Sequence, residues 1–425
     1  MDRTATLAAL RRGDCAGARE IRLPDGLSEV PPELFGLADT LEVLDLGRGS
    51  YALPDAFGRL PSLRVLFCSG TPFARLPPVL GACPALSQVG FRGCGITEVP
   101  AQSLPPALRW LTLTDNRITT LPDALGERPR LQKLMLSGNR LDRLPETLAG
   151  AGNLELIRLA DNRLAALPPW LAQLPRLAWI SYASNPAEPA AEAVAAPSVA
   201  WSDLAVGPLL GEGSSGRVYR AEWRGRPVAV KLFKGAVGSD GLPEREVAAC
   251  LAAGRHPGLI GALGELTGHP EGTPGLILPL LPPGWTVLAG APSLASCSRD
   301  VYAPDLRLAP DALLPLVRSL ADGLAHLHDR RLMHGDVYGH NILWDGHGTA
   351  VLGDFGASST LPEGEAGQAL ARIETRAFGI LLGELLDRCE APPPPLRELE
   401  RACAGPKVEA RPGMAEVAGV LASHS

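Results

Sequence analysis

Leucine side chains recur at a fixed period along the first half of the chain. The pattern LxxLxL, or a close variant of it, starts at eight positions that lie 22 or 23 residues apart: Ala18, Leu41, Leu63, Leu86, Leu108, Leu131, Leu154 and Leu177. Seven of these units continue into a Leu-Pro or Val-Pro step. A period of this length indicates a solenoid, in which each unit contributes one short strand and stacks on its neighbours.

The unit LQKLMLSGNRLDRLPETLAGAGN illustrates the pattern. Three of its side chains are predicted to face inward from the strand: Leu131, Leu134 and Leu136. Asn139 is expected to satisfy backbone groups where the chain turns. These residues resemble the leucine-rich-repeat family. The resemblance implies about eight repeats over residues 18–185, with residues 1–17 as an N-terminal cap that shields the core of the first repeat.

Leucine-rich solenoids usually bind partners through the concave face that their strands form. Exposed aromatic and basic side chains are enriched at protein interfaces, although a single exposed apolar residue carries no meaning by itself. The strand positions predicted to face a protein substrate or regulator are Phe67, Trp110, Met135, Arg158 and Trp179. The repeats are therefore expected to act as an interaction or regulatory module.

A segment rich in alanine and proline follows the repeats and is predicted to be a linker over residues 186–203. Beyond it, three glycines in the pattern GxGxxGxV, at Gly211, Gly213 and Gly216, lie between two runs that read as strands. Dinucleotide sites share the glycine spacing but lead into a helix. A loop between two strands instead lets backbone amides close over a nucleoside triphosphate.

The next strand, RPVAVKLF, places Lys231 among apolar neighbours, so its ammonium group needs a buried counter-ion. The helical segment that follows carries two candidates, Glu244 and Glu246. Glu246 is the better partner because the apolar positions after it lie on the same helical face. Glu244 remains the alternative.

The segment LMHGDVYGHNILWDGHGTAVLGDFGAS holds Asp336, then Asn341 five residues later, and then Asp354 in a DFG triplet. Together with the glycine loop and Lys231, these residues resemble the protein kinase family over residues 204–424. The resemblance implies that Asp336 accepts the proton of the attacking hydroxyl, and that Asn341 and Asp354 hold Mg²⁺ against the phosphates of ATP.

The resemblance also assigns a nucleotide-binding role to residues of the glycine loop, of the strand that carries the lysine, and of the hinge. These residues are Gly211, Glu212, Gly213, Ser214, Ser215, Gly216, Val218, Ala229, Lys231, Leu278, Pro279, Leu281 and Leu343. The catalytic set that it implies is Asp336, Lys231, Glu246 and Asn341.

The chain departs from the kinase pattern beside the catalytic aspartate. Gly335 stands where most protein kinases have an arginine that pairs with a phosphorylated activation loop, so we expect activity without such phosphorylation. Tyr338 replaces the lysine of serine/threonine kinases, and His340 occupies the place of a basic residue of tyrosine kinases. Hydroxyl specificity therefore stays open, and serine/threonine is favoured on family frequency alone.

The segment after the DFG triplet is short. Seventeen residues separate Gly356 from Glu374, which takes the place of a buried helix aspartate. No Ala-Pro-Glu motif is present, and Glu363 is the nearest substitute as a carboxylate partner for Arg411. Phosphoryl transfer is thus expected to be intact, whereas the platform that recognises the substrate is expected to be altered.

Composition limits the function classes and the locations that the sequence suggests. A net charge of −6 gives no indication of nucleic-acid binding. The eight cysteines show no metal-site spacing and are expected to be free thiols, mostly buried. The N-terminus does not resemble a signal peptide, and no apolar run is long enough to span a membrane, which predicts a cytoplasmic protein. Only four lysines among abundant Arg, Ala, Gly and Pro favour a bacterial source.

The predicted fold is an α/β multidomain protein: a leucine-rich-repeat solenoid followed by a bilobal α+β domain similar to protein kinases. Its predicted function is that of an ATP-dependent protein kinase. One alternative is a small-molecule kinase of the aminoglycoside-phosphotransferase type, which shares the His-Gly-Asp sequence and lacks Ala-Pro-Glu. Another is a pseudokinase scaffold that only binds nucleotide, although such a scaffold would not need all four of Lys231, Asp336, Asn341 and Asp354.

Overall fold

The computed structural model of the protein describes residues 3–190, 197–213, 215–235, 238 and 241–423. Its backbone contacts divide the chain into two compact units, Met1–Pro168 and Pro169–Ser425. The division falls inside the span predicted for the repeats, so that the last predicted repeat groups with the second unit.

The first unit is built from seven short parallel strands, β1 to β7, that follow helix α1 (Arg3–Arg12). The strands are Glu20–Arg22, Val43–Asp45, Val65–Phe67, Gln88–Gly90, Trp110–Thr112, Lys133–Met135 and Leu156–Arg158. They pair in register, so that Leu111 lies opposite Leu134 and Leu134 opposite Ile157. These three side chains are fully buried, as the repeat pattern predicts for the middle of each strand.

Buried asparagines connect successive repeats. The Asn139 side-chain oxygen accepts a hydrogen bond of 3.1 Å from the Ile118 N–H, and its amide donates to the carbonyls of Leu113 and Leu136, both at 2.9 Å. Asn116 and Asn162 make the same kind of contacts in their own repeats. Each asparagine side chain thus gives hydrogen-bond partners to backbone groups at a turn, where no neighbouring strand can pair with them.

The second unit begins with strand β8 (Trp179–Ser181) and continues into a six-stranded sheet. The strands of this sheet are β9 (Ser198–Ala200), β10 (Leu204–Glu212), β11 (Gly216–Trp223), β12 (Arg226–Phe233), β13 (Gly264–Thr267) and β14 (Gly275–Pro279). Their spatial order is β10-β11-β12-β14-β13-β9, and only the β9–β13 pair is parallel. The segment predicted as a linker therefore contributes an edge strand.

Helix α2 (Pro243–Ala253) lies between β12 and β13 in the chain. Pro243 opens it because proline at the first helical position loses no hydrogen bond, and Gly254 follows it with a φ of 67°. Its buried face includes Glu246, Val247 and Cys250. The helix thus turns a carboxylate toward the sheet.

The rest of the unit is mainly helical. Its helices are α3 (Pro310–Asp329), α4 (Gly364–Leu386), α5 (Pro394–Ala404) and α6 (Met414–Ala422). Five short strands join them: β15 (Thr286–Val287), β16 (Leu332–Met333), β17 (Ile342–Trp344), β18 (Ala350–Leu352) and β19 (Ser359–Thr360). Within the described residues, no helix is both long enough and apolar enough to cross a membrane.

Candidate active site

A cavity of about 900 Å³ lies between the six-stranded sheet and the loops around β17 and β18. Twelve residues predicted to bind nucleotide line it: Gly211, Glu212, Gly213, Ser215, Gly216, Val218, Ala229, Lys231, Leu278, Pro279, Leu281 and Leu343. Ser214, also predicted to bind nucleotide, lies outside the described residues. The apolar lining from β14 and Leu343 suits a flat ring, and the glycine loop lies at the rim.

Lys231 reaches this cavity from the middle of β12. Its ammonium forms a buried ion pair with Glu246 and lies 3.7 Å from a carboxylate oxygen of Asp354. Burial by itself would lower the pKa of Lys231, but the carboxylates of Asp354 and Glu246 outweigh it and raise the pKa. The structure brings Glu246 to the lysine, whereas Glu244 lies on the exposed side of α2.

Asp336 lies in the loop between β16 and β17. The Asn341 amide donates hydrogen bonds of 2.8 Å to its carboxylate and 2.9 Å to its backbone carbonyl. Asn341 and Asp354 both line the cavity, where their side-chain oxygens are of the hard type that Mg²⁺ prefers. The Asp354 backbone adopts a left-handed conformation with a φ of 59°, a strain typical of functional sites.

A buried carboxylate on α4 holds the backbone of the loop that carries Asp336. Glu374 on α4 accepts a 2.6 Å hydrogen bond from the Gly335 N–H, and its other oxygen lies 2.8 Å from the His328 ring. Complete burial opposes ionisation of Glu374, but the His328 hydrogen bond and charge outweigh it and lower the pKa. Glu374 therefore remains ionised and fixes the backbone directly before Asp336.

Asp300 is a site residue that the sequence analysis missed. Its buried carboxylate lies 2.7 Å from the His340 ring nitrogen Nδ1 and accepts a hydrogen bond from the His340 N–H at 3.1 Å. Burial lowers the pKa of His340, but the hydrogen bond to Asp300 and the charge of Asp336 raise it overall. The two residues are 40 positions apart with helix α3 between them, and no local pattern marks the pair.

The expected carboxylate partner of Arg411 is a prediction that the structure corrects. Glu363 pairs instead with Arg331, at 2.6 Å. Among the described residues Arg411 forms no ion pair, and its guanidinium donates to the carbonyls of Gly405, Arg372 and Pro175. Burial lowers the pKa of Arg411 to about 10. The three backbone carbonyls thus take the place of the expected carboxylate.

The predicted partner face also needs correction. Trp179 is 1% exposed and Arg158 2%, and Met135 is buried as well, so none of the three offers a free surface. The repeat pattern marks Trp179 as outward, whereas its ring packs on Tyr338 of its own unit. Phe67 and Trp110 are partly exposed, and the Lys133 ammonium lies 4.1 Å above the Trp110 ring.

Comparison with known proteins supports both halves of the prediction. Residues 204–374 match the family described as protein tyrosine and serine/threonine kinase, and residues 106–164 match the leucine rich repeat family. The predicted fold class is thereby confirmed. The chain contains a leucine-rich-repeat region followed by a protein kinase domain.

Among similar proteins, serine/threonine-protein kinase mos of Xenopus laevis is 28% identical over 193 residues, or 45% of this chain and 47% of that protein. Serine/threonine-protein kinase CTR1 of Arabidopsis thaliana is 29% identical over 213 residues, 44% of this chain and 24% of that protein. Dual specificity protein kinase pyk3 of Dictyostelium discoideum is 24% identical over 166 residues, 39% and 11% of the two chains. The chain thus spans less than half the length of these relatives.

Proposed function

We propose that this chain is an ATP-dependent protein kinase that phosphorylates serine or threonine hydroxyls of a protein. The observation that carries the proposal is the buried ion pair of Lys231 and Glu246, with Asp354 at 3.7 Å, on the wall of a cavity of about 900 Å³. Protein kinases need the lysine–glutamate pair and the DFG aspartate in place together for phosphoryl transfer. In the same unit the Asn341 amide donates hydrogen bonds to the carboxylate and to the backbone carbonyl of Asp336.

Each side chain has a defined task in this proposal. Lys231 contacts the phosphates of ATP, and Glu246 fixes the position of the ammonium. Asp336, oriented by Asn341, orients the acceptor hydroxyl and takes its proton. Asn341 and Asp354 fit Mg²⁺ as oxygen ligands at the cavity wall. When bound, the metal supplies positive charge that offsets the charge on the phosphate oxygens.

The nucleotide base fits the apolar part of the cavity. Leu278 and Pro279 of β14 line one edge together with Leu281, which follows the strand, and Leu343 of β17 also lines the cavity. Pro279 has no N–H to donate, whereas Leu281 retains the N–H that a ring nitrogen needs. We therefore assign Leu281 as the backbone donor to adenine.

The repeats are proposed to bind a protein substrate or regulator. Phe67 and Trp110, which are partly exposed on the strand side of the first unit, support this role, with Lys133 beside the tryptophan. A bacterial source and a cytoplasmic location are proposed from the composition. Net charge gives no reason to propose nucleic acid as a partner.

The experiment incubates the full chain with labelled ATP and Mg²⁺, in separate reactions with a generic protein substrate and with a metabolite extract. We expect label on protein, and loss of that label in Asp336→Asn. Asp305→Asn, a change at an exposed aspartate, is the matched control and should keep the label. Label in metabolites alone would favour a small-molecule kinase, and nucleotide binding without transfer would favour a scaffold.

A further inference from the structure

The last repeat packs directly on the loop that carries Asp336. The Trp179 indole N–H donates a 3.0 Å hydrogen bond to the Val337 carbonyl, one residue after the aspartate. Its ring is stacked on Tyr338, with centroids 4.3 Å apart and planes 7° from parallel. The Arg299 guanidinium also lies over the indole ring, 5.1 Å from its centroid. One side chain from the repeat therefore fixes two consecutive residues of this loop.

The unusual glycine before Asp336 fits this packing. Gly335 has a φ of 75°, and a β-carbon on it would lie 2.5 Å from both the Ile180 and the Ala357 carbonyl oxygens. An arginine at this position would collide with the backbone of β8 and with the segment after the DFG triplet. The last repeat thus leaves no space at position 335 for the arginine that normally pairs with a phosphorylated activation loop.

The short segment after the DFG triplet is held from the same side. The Tyr182 N–H donates to the Ser359 hydroxyl at 3.0 Å, and the Tyr182 hydroxyl donates to the Thr360 carbonyl at 2.8 Å. Ser358, Ser359 and Thr360 are all buried. No phosphate can reach these hydroxyls unless the segment opens, so its order in this structure does not depend on phosphorylation.

Glu188 connects this segment to helix α2. One of its carboxylate oxygens accepts a 2.9 Å hydrogen bond from the Thr360 N–H, and the other lies 2.6 Å from the Arg245 guanidinium. The side chain is 5% exposed, which strengthens both contacts. Arg245 directly precedes Glu246, the residue that pairs with Lys231. A single carboxylate therefore bridges the helix and the short segment.

We propose that residues 169–190, the junction segment, are a positioning element of the kinase, in which the Glu188 carboxylate takes the place that a phosphate has in other kinases. Phosphorylated activation loops order themselves by pairing with basic side chains, and the position of α2 controls the lysine–glutamate pair. Glu188 makes both connections without modification. The inference rests on the proposed kinase activity, and it makes Glu188 and Trp179 positioning residues for the reaction.

An inhibitory role for the same contacts is the opposing interpretation. Inhibition would be expected to separate Lys231 from Glu246 or to turn Asp354 out of the cavity. Instead, the ion pair is formed and Asp354 lines the cavity while the junction contacts are in place. The structure therefore favours activation over inhibition.

The test is Glu188→Gln in the full chain, which keeps the shape of the side chain and removes its charge. We expect kcat to fall between about tenfold and a hundredfold, because a small misplacement of reacting groups has an effect of this size. The Kd for ATP should change less than about twofold, because Glu188 does not line the cavity. Glu42→Gln, which removes a carboxylate between two arginines of the first unit, is the matched control and should leave kcat unchanged.

A second pair of variants tests Trp179. Trp179→Phe keeps a ring on Tyr338 but loses the hydrogen bond to Val337, so we expect a smaller fall in kcat than for Trp179→Leu. Trp170→Phe is the control within the junction segment, because the Trp170 indole N–H has no hydrogen-bond partner among the described residues. A merely structural role would lower the number of ATP sites per chain along with kcat, whereas the proposal predicts a full complement of sites.

Amide hydrogen exchange makes the test independent of activity. In Glu188→Gln, peptides that cover residues 357–361 and 243–253 should exchange faster than in the unmodified chain, and peptides of the first unit should not. If the unmodified chain transfers no phosphate, the proposed function fails while the exchange result still decides the junction contacts. Unchanged kcat and exchange in Glu188→Gln would overturn the inference, and a raised kcat would show that the segment inhibits.

Discussion

The backbone N–H of Gly335 donates a 2.6 Å hydrogen bond to the buried carboxylate of Glu374. The contact ties the loop of Asp336 to the middle of α4, whose other buried residues are mostly apolar. Since a buried carboxylate without such partners would be strongly destabilising, the pair defines a fixed point beneath the active site.

Glu374→Ala removes the acceptor of the Gly335 N–H and the partner of His328. We expect the free energy of unfolding to fall by about 3 kcal/mol, because two buried polar groups lose their hydrogen bonds together. Chemical denaturation measures the change. Glu365→Ala, at an exposed position of the same helix, is the control and should fall within about 0.5 kcal/mol of the unmodified chain. An equal effect of both changes would contradict this assignment.

Glu246→Gln and Glu244→Gln form a matched pair on α2. Glu246 is buried against Lys231, whereas Glu244 is exposed. We expect Glu246→Gln to lower kcat by about a hundredfold, because the ammonium loses the group that fixes its position. Glu244→Gln should leave kcat within about twofold. Steady-state kinetics with a protein substrate would reveal the reverse order if Glu244 were the functional partner.

Gly335→Ala tests the close approach of the last repeat to the catalytic loop. The new β-carbon would meet two carbonyl oxygens at 2.5 Å and would also require a positive φ. We expect a loss of about 3 kcal/mol in unfolding free energy, the sum of a backbone and a packing penalty. Gly346→Ala is the control, because its φ is 83° and no atom lies within 4 Å of the new carbon. Only the backbone penalty of about 1 kcal/mol should remain there.

Asn139→Ala tests how the repeats are held together. The change removes three hydrogen bonds to buried backbone groups, two of them to the preceding repeat at Leu113 and Ile118. We expect the unfolding free energy of the repeat region to fall by about 3 kcal/mol. Asn153→Ala, which removes one exposed hydrogen bond to the Pro129 carbonyl, should cost less than about 1 kcal/mol. Equal losses in denaturation would contradict the proposed role of the buried asparagines.

Glu384 makes stability depend on pH. Burial is the main cause that raises the pKa of its carboxyl from 4.5 to about 7, while the Tyr302 hydroxyl partly opposes the shift. The folded chain therefore holds a proton that the unfolded chain releases, so stability from this group is lost as pH rises from about 4.5 to about 7.

Glu384→Gln removes this titration. We expect the Tm of the variant relative to that of the unmodified chain to be higher at pH 8 than at pH 5. At pH 8 the unmodified chain can fold only with a buried, ionised Glu384 or with a proton taken up from solvent, whereas the glutamine is neutral at both pH values. Glu365→Gln is the exposed control and should show the same Tm difference at both pH values. A Tm difference for Glu384→Gln that does not depend on pH would contradict the assignment.

The sequence predicted those features that repeat or that have fixed spacing. The period of 22 or 23 residues placed each inward leucine, and the order of the glycine loop, Lys231, Asp336 and Asp354 identified the kinase-like half. The preference for Glu246 over Glu244 followed from the apolar face of one helix. Each of these depends on neighbours within a few residues or on a pattern that occurs many times.

Contacts between distant segments were not predictable in this way. Trp179 occupies a strand position that faces outward in a repeat, but it packs on distant residues such as Tyr338, 159 residues later. Asp300 lies in irregular chain before its partner His340. The family pattern predicts a carboxylate partner for Arg411, yet its guanidinium donates to the carbonyl of Pro175. No local pattern encodes such pairs.

The most direct test of the central claim is the transfer of labelled phosphate from ATP to a protein, followed by identification of the modified amino acid. With the full chain and Mg²⁺, the account predicts phosphoserine or phosphothreonine that accumulates over many turnovers. In Asp336→Asn the product should fall by about a thousandfold or more, since the proton acceptor is lost. Equal product from the unmodified chain and from Asp336→Asn would contradict the claim.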